Sequence, residues 1–193
     1  DGYCDGSVTV GSCIAGDVFP LDESEWFDTD GDGTGNNADT DDDNDGLDDT
    51  TESSSDPATN TTNPDTDGDG VCDGSINVTI NDVQICIGGP DELPTDPDET
   101  IDTDGDGIGN NGDTDDDGDG LSDDEENDIG TDSLLPDTDG DLFCDGPIVV
   151  TGCVGSDDAF PLDVSEWLDT DGDGIGNNED TDDDGDGYAD RKS

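Results

Sequence analysis

The chain has 193 residues, 60 of them acidic and two basic, giving a formal net charge of −58 with no His. Leu, Ile, Val and Phe supply only 33 residues, below the roughly 20% a highly charged chain needs to build an apolar core, so a conventional core is excluded. Binding to nucleic acid or to an anionic membrane is excluded too, since no basic patch can neutralise phosphate, and no apolar run approaches the ~20 residues of a spanning helix.

Disorder is the first expectation for such a composition, and two features oppose it. The acids are 51 Asp and only 9 Glu, whereas disordered acidic segments are enriched in Glu. Six Cys are present, and core-poor domains are ordered by disulfides or metals.

In chain order, the first element is the segment from Cys4 to Cys13, which encloses the β-prone run SVTV. A D-x-x-P-x-D-x-x-E stretch follows, with Asp17, Asp22 and Glu25. Next come two Asp-rich loops in tandem. The first holds Asp28, Asp30, Asp32, Thr34 and Asp39; the second holds Asp41, Asp43, Asp45, Leu47 and Glu52. These residues stand at relative positions 1, 3, 5, 7 and 12, with Gly at 6. A Ser/Thr-rich linker then leads to a third loop with Asp65, Asp67, Asp69, Val71 and Asp73, which lacks an acid at position 12.

The series then begins again. Cys72 and Cys86 enclose SINVTI, and Asp91, Asp96 and Glu99 repeat the Pro-containing stretch. The loops carry Asp102, Asp104, Asp106, Ile108 and Asp113, then Asp115, Asp117, Asp119, Leu121 and Glu126. The loop with Asp137, Asp139, Asp141, Phe143 and Asp145 has Leu142 where Gly is expected. A third round has Cys144 and Cys153 around PIVV, then Asp158, Asp163 and Glu166, then Asp169, Asp171, Asp173, Ile175 and Asp180. It finishes with Asp182, Asp184, Asp186 and Tyr188, with Ser193 at position 12. The string DTDGDG-x-GNN recurs at Asp28, Asp102 and Asp169, so the period is 74 and then 67 residues. The difference lies wholly in the linker and the Cys-to-Cys segment. The chain is read as one repeat array with units 1–64, 65–136 and 137–193, incomplete at both ends.

The loop pattern points to Ca²⁺. Acids at 1, 3 and 5 converge on one ion, Gly at 6 permits a sharp turn, position 7 offers a carbonyl and position 12 an acid. All-oxygen ligands favour Ca²⁺ over zinc or copper, and Mg²⁺ prefers to keep its waters. Helices between tandem loops have no room, since one residue separates Asp39 from Asp41. The loops are therefore expected to stack directly on one another. The loops at Asp65 and Asp137, which lack an acid at position 12, should bind more weakly or borrow a distant ligand.

The strings DTDGDGIGNNGDTDDDGDGLSDDEE at 102–126, GTDSLLPDTDGD at 130–141 and DAFPLDVSEWLDTDGDG at 158–174 resemble the thrombospondin type 3 repeat family in its bacterial form. The resemblance spans nearly the whole chain. It implies a secreted or surface protein with few regular secondary structures, an elongated calcium-cored tandem array. It also implies that Asp17, Asp22, Glu25, Asp91, Asp96, Glu99, Asp158, Asp163 and Glu166 donate ligands to neighbouring ions. One ion for each loop and each Pro-containing stretch gives roughly 8–12 ions, at the ligand numbers usual for Ca²⁺. The animal repeats place Cys inside their loops; this chain does not, so their disulfide pattern does not carry over.

The repeat itself selects the pairs Cys4–Cys13, Cys72–Cys86 and Cys144–Cys153, each expected to clamp a short β-hairpin. Disulfides indicate an oxidising compartment, and with no signal peptide visible the sequence reads as a mature chain or a fragment. Asn60 and Asn77 head glycosylation sequons, and residues 50–62 suit O-glycans. Trp26 and Trp167, with Phe19 and Phe160, are expected to plug the spaces between loops rather than form a sugar-binding face. Ser122 should cap a short helical turn.

With no His, triad catalysis lacks a base, and no enzymatic activity is expected. The leading expectation is an extracellular calcium-stiffened stalk or fibre subunit. Asp1 and Ser193 each fall within an incomplete loop, which raises the expectation of a head-to-tail filament sharing calcium. A calcium-dependent adhesin for glycans or surface proteins, and an acidic calcium buffer or mineral nucleator, are the alternatives.

Overall fold

The computed structural model describes residues 2–5 and 13–190. Regular structure is sparse: β1 (Tyr3–Cys4), β2 (Ile14–Ala15), α1 (Asp49–Glu52), β3 (Val78–Ile80), β4 (Val83–Cys86) and α2 (Asp123–Ile129). The chain falls into two compact units, Asp1–Ile101 and Asp102–Ser193, and the second begins on a DTDGDG string. The SVTV run lies outside the described residues, as do Asp1 and Ser193 with the head-to-tail expectation built on them.

All three expected disulfides are formed; residues 6–12, between Cys4 and Cys13, lie outside the described residues, and of the other two disulfides one clamps a hairpin. In the first unit β3 and β4 pair antiparallel, with Val78 opposite Cys86 and Ile80 opposite Val83. Asn81 and Asp82 turn the chain with φ of 52° and 63°, the geometry of a two-residue hairpin turn. The Cys144–Cys153 segment forms no hairpin. Its cysteines are 9 residues apart, against 14 for Cys72–Cys86; with the chain held on Asp119 as far as Ile148, the path left before Cys153 is too short for two strands and a turn, and Pro147 removes a donor.

What recurs at the staples is a parallel bridge outside the disulfide. Tyr3 pairs with Ile14, Val71 with Ile87 and Phe143 with Gly155. Each staple then receives the N–H of the next Pro-containing stretch: Asp17 donates to the Cys4 carbonyl, Asp91 to Cys72 and Asp158 to Cys144, at 3.0–3.2 Å. The disulfides thus fold the chain back so that Asp91 and Asp158 come to lie beside the preceding loop.

The interior is acidic. The buried apolar residues among those described are Val78 and four half-cystines, against seventeen buried Asp and Glu. Glu52, Glu126, Asp43, Asp45 and Asp119 are fully buried. The only basic residues, Arg191 and Lys192, lie outside the described residues, so no side-chain cation faces these acids within 2–5 and 13–190.

The helices are extensions of loops. α1 supplies Glu52 and α2 supplies Glu126, the position-12 acids of their loops. α2 begins with the expected cap. The Ser122 hydroxyl accepts from Glu125 N–H, Glu125 reaches back to Ser122 N–H, and Gly130 closes the far end at φ 93°. Acids in both first turns face the positive end of the helix dipole.

Candidate metal centres

Each loop is built by its own carboxylates. The position-1 Asp accepts from the N–H of position 6 at 2.9–3.4 Å in all eight loops. The position-3 Asp accepts from position 5 at 3.0–3.4 Å. The position-5 Asp accepts from position 7 at 2.6–2.9 Å. Each position-3 acid is thereby tied to the backbone by one oxygen, whereas Asp28, Asp65, Asp102, Asp137 and Asp169, at position 1, accept on both, the second from the N–H of position 4 at 2.7–2.8 Å. Eight groups of acids whose ligand atoms lie within 4.8 Å of one another occur among the described residues, including Asp28–Asp30–Asp32, Asp41–Asp43–Asp45 and Asp115–Asp117–Asp119.

Two further positions matter: the sequence reading passed over position 4 and named position 9 only at Asp73 and Asp145. Position 4 takes positive φ in every loop: Gly31, Asn44, Gly68, Gly105, Gly118, Gly140, Gly172 and Gly185. The D-G-D-G spelling carried that signal, since Gly and Asn are the residues that adopt this conformation readily. Leu142, at position 6, adopts φ 83° and does the work of the missing Gly with a side chain that disfavours it. Position 9 closes each loop by accepting from the N–H of position 2, as Asn36 does from Thr29 and Asp73 from Thr66, both at 3.0 Å.

Glu25 and Glu166 are buried and tie each Pro-containing stretch to the loop after it. They accept from Asn37 and Asn178 N–H at 3.1 and 2.9 Å. Gly35 and Gly176 make room: a Cβ there would lie 2.1 Å from the glutamate oxygen. Glu99 is likewise buried. Asp22, Asp96 and Asp163 are exposed and accept from nearby N–H groups, as Asp22 does from Ser24 at 3.0 Å. Asp163 is still near enough to Asp139 to act on its charge. Asp39, Asp113 and Asp180, at position 12, each accept from the next two N–H groups and so link tandem loops.

A distant carboxylate lies near each of the loops at Asp65 and Asp137, which have no acid at position 12. Asp91 lies within electrostatic reach of Asp67, Asp69 and Asp73, and Asp158 of Asp141, Asp139 and Asp145. Each uses one oxygen on its own turn, accepting from Leu93 and Phe160 N–H at 2.8 and 2.7 Å. The other, Oδ2, is buried without a hydrogen-bond donor.

Such orphaned oxygens define the sites. Asp41 Oδ1, Asp43 Oδ2 and Glu52 Oε2 share one loop; Asp117 Oδ2 and Glu126 Oε2 share another; Asp67, Asp139, Asp141 and Asp182 supply more. A buried carboxylate oxygen lacking a donor is strongly unfavourable unless a cation meets it. Burial, then the charges of Asp45 and Glu52, pushes Asp43 up to about 8. Burial, then Asp117 and Asp119, pushes Glu126 up to about 8. Burial raises Glu52 and Asp117 to about 7. Hard oxygens, several per site and without a basic neighbour, fit a hard divalent cation such as Ca²⁺.

Trp26 and Trp167 are half-buried and do plug spaces beside the loops. Trp26 stacks on Tyr3 at 5.0 Å and 7°, and Trp167 on Phe143 at 5.2 Å and 8°. In the middle copy both partners change together, to Val71 and Thr100. Asn60 and Asn77 are exposed. No helix among the described residues is long and apolar enough to cross a membrane.

Compared with known families, residues 115–136 match the bacterial TSP3 repeat, a repeat of calcium-binding type typical of extracellular proteins. The resemblance read from the sequence holds there: the match takes in the Asp115 loop, α2 and the connection as far as Pro136. No curated protein matches the chain.

Proposed function

We propose that this chain is an extracellular calcium-binding structural protein, a tandem array that serves as a stiffened stalk or spacer and performs no catalysis. One observation carries this reading. Seventeen acidic side chains are buried among the described residues, several with oxygens that meet no donor, and no basic residue stands among them. Counter-charge must then come from ions bound in the loops, and binding free energy becomes folding free energy. About 8–12 Ca²⁺ would fill the loops and the carboxylates delivered by the staples. Three disulfides support an oxidising, extracellular setting.

The test is the ion count. Protein dialysed to equilibrium against millimolar calcium should retain about 8–12 calcium ions per chain above the dialysate by elemental analysis. Retention of one or two would end this reading.

A further inference from the structure

Three loops close with Asn at position 9. Asn110 and Asn177 accept from Thr103 and Thr170 N–H at 3.0 and 2.9 Å, as Asn36 does from Thr29. A neutral amide therefore suffices to close a loop. The other five close with a carboxylate, half-buried or exposed at Asp49, Asp123 and Asp190 but buried in the loops at Asp65 and Asp137. Asp73 accepts from Thr66 N–H and hydroxyl at 3.0 and 2.6 Å, and Asp145 from Thr138 N–H at 3.2 Å. Asp73 and Asp145 are only 3% and 5% exposed, and an added charge buried among acids is costly. Closure alone does not account for it.

The surroundings do. The residue after each carboxylate is locked onto the position-5 acid of the preceding loop. Gly74 N–H donates to Asp45 Oδ2 at 2.8 Å, and Ile76 N–H to the Asp45 carbonyl at 2.8 Å. Gly146 N–H donates to Asp119 Oδ2 at 2.5 Å, and Ile148 N–H to the Asp119 carbonyl at 2.7 Å. A Cβ on Gly74 would lie 2.4 Å from the Asp45 carbonyl oxygen, and one on Gly146 2.2 Å from Asp119 Oδ1. Buried, donor-less oxygens belong to Asp43, Glu52 and Asp91 in the first of these groups of acids and to Asp117, Glu126 and Asp158 in the second. The charge of Asp73 reaches Asp45, Glu52 and Asp91; that of Asp145 reaches Asp117, Glu126 and Asp158.

We propose that Asp73 and Asp145 each face two cation sites, so that loops 41–52 and 65–73 fill as one coupled pair and loops 115–126 and 137–145 as another. The inference rests on the calcium reading above. It assigns these acids a role between sites, over and above closing their own loops.

The test is a calcium titration of the ¹⁵N-labelled full chain, following two cross-peaks. The Gly120 amide, which donates to Asp115, reports on loop 115–126. The Trp167 indole, stacked on Phe143, reports on loop 137–145. In the wild type both should move together with a Hill slope above one. Asp145→Asn keeps an acceptor for Thr138, as Asn177 does for Thr170, and should weaken both midpoints by about fivefold or more, the lower range of site-to-site coupling. Asp128→Asn, which removes an exposed charge from α2, should move neither comparably. Should Asp145→Asn fail to fold, Glu126→Gln reads the coupling from the other side and should weaken the Trp167 midpoint by a similar factor. A Gly120 midpoint unchanged by Asp145→Asn, or a Trp167 midpoint unchanged by Glu126→Gln, overturns the inference alone. Wild-type reporters that ignore calcium overturn it together with the calcium reading.

Discussion

Loops 28–39 and 41–52 are neighbours with the same spacing of acids and the same internal hydrogen bonds, yet they meet opposite environments. Asp32 is exposed, while Asp43, Asp45 and Glu52 are wholly buried. The spacing of the acids does not set this difference. What buries the second loop is the stapled segment after Cys72, which closes over Asp45 through Gly74 and Ile76. The loop at 115–126 is covered by the same device from Gly146 and Ile148. One local motif thus yields an open or an enclosed site according to what is packed upon it, and enclosed sites should respond more strongly to every perturbation.

The largest contrast is expected from the ligands. Glu126→Gln should weaken calcium binding at its loop by about tenfold or more, the range seen even for groups outside the coordination shell. Asp32→Asn, in the exposed loop, should cost clearly less, and isothermal titration of the two variants measures the difference. Equal losses would remove the distinction between enclosed and open sites.

Glycine substitutions sharpen the same comparison. Gly74→Ala would place a methyl group against the Asp45 backbone and should lower the denaturation midpoint markedly. Gly31→Ala meets open space at φ 79°, so it should lose only the conformational strain of about 1–2 kcal/mol. Denaturation in calcium ranks the two.

Protons provide a milder probe. Burial and neighbouring charge raise Asp43 and Glu126 to about 8, and Glu52 and Asp117 to about 7. Acids raised in the fold favour it when protonated. In the calcium-free chain their contribution is therefore fully present below the ordinary carboxylate range and is lost as pH rises through about 8. Calcium must displace these protons, so its addition at pH 7 should release acid, and its affinity should fall as pH falls from 8 to 6. A pH-stat measures the release; none from wild type, or no reduction in Glu126→Gln, would contradict the burial of these groups. The smallest effect is a gain: Leu142→Gly relieves a left-handed residue that is half exposed and should stabilise by about 1 kcal/mol.

Much of the site was legible because its bonds are local. Acids at alternate positions hydrogen-bond two residues ahead, so their spacing alone announces the loop. The repeat likewise picked out the cysteine pairs, since each copy holds two. Contacts across long separations were not legible. Nothing in the spacing shows that Gly74 grips Asp45, 29 residues earlier, or that the carboxylate borrowed by the Asp65 loop is Asp91, carried there by the N–H bond to Cys72. The expected hairpin at Cys144–Cys153 failed for a related reason. β-prone residues cannot pair when too short a path is left before the staple, and there PIVV forms a bend and irregular chain instead.

The central claim is that bound calcium replaces the missing core. It is tested most directly by recording amide exchange and near-ultraviolet dichroism of the Trp26 and Trp167 stacks during a calcium titration, with reversal by EDTA. The account predicts cooperative ordering at about 10⁻⁴–10⁻³ M calcium, the range of extracellular modules, with protection of Gly46, Gly74, Gly120 and Gly146 that disappears on chelation. A chain that keeps that protection and those stacks in EDTA would show that its buried carboxylates are stable without ions, and would contradict the account.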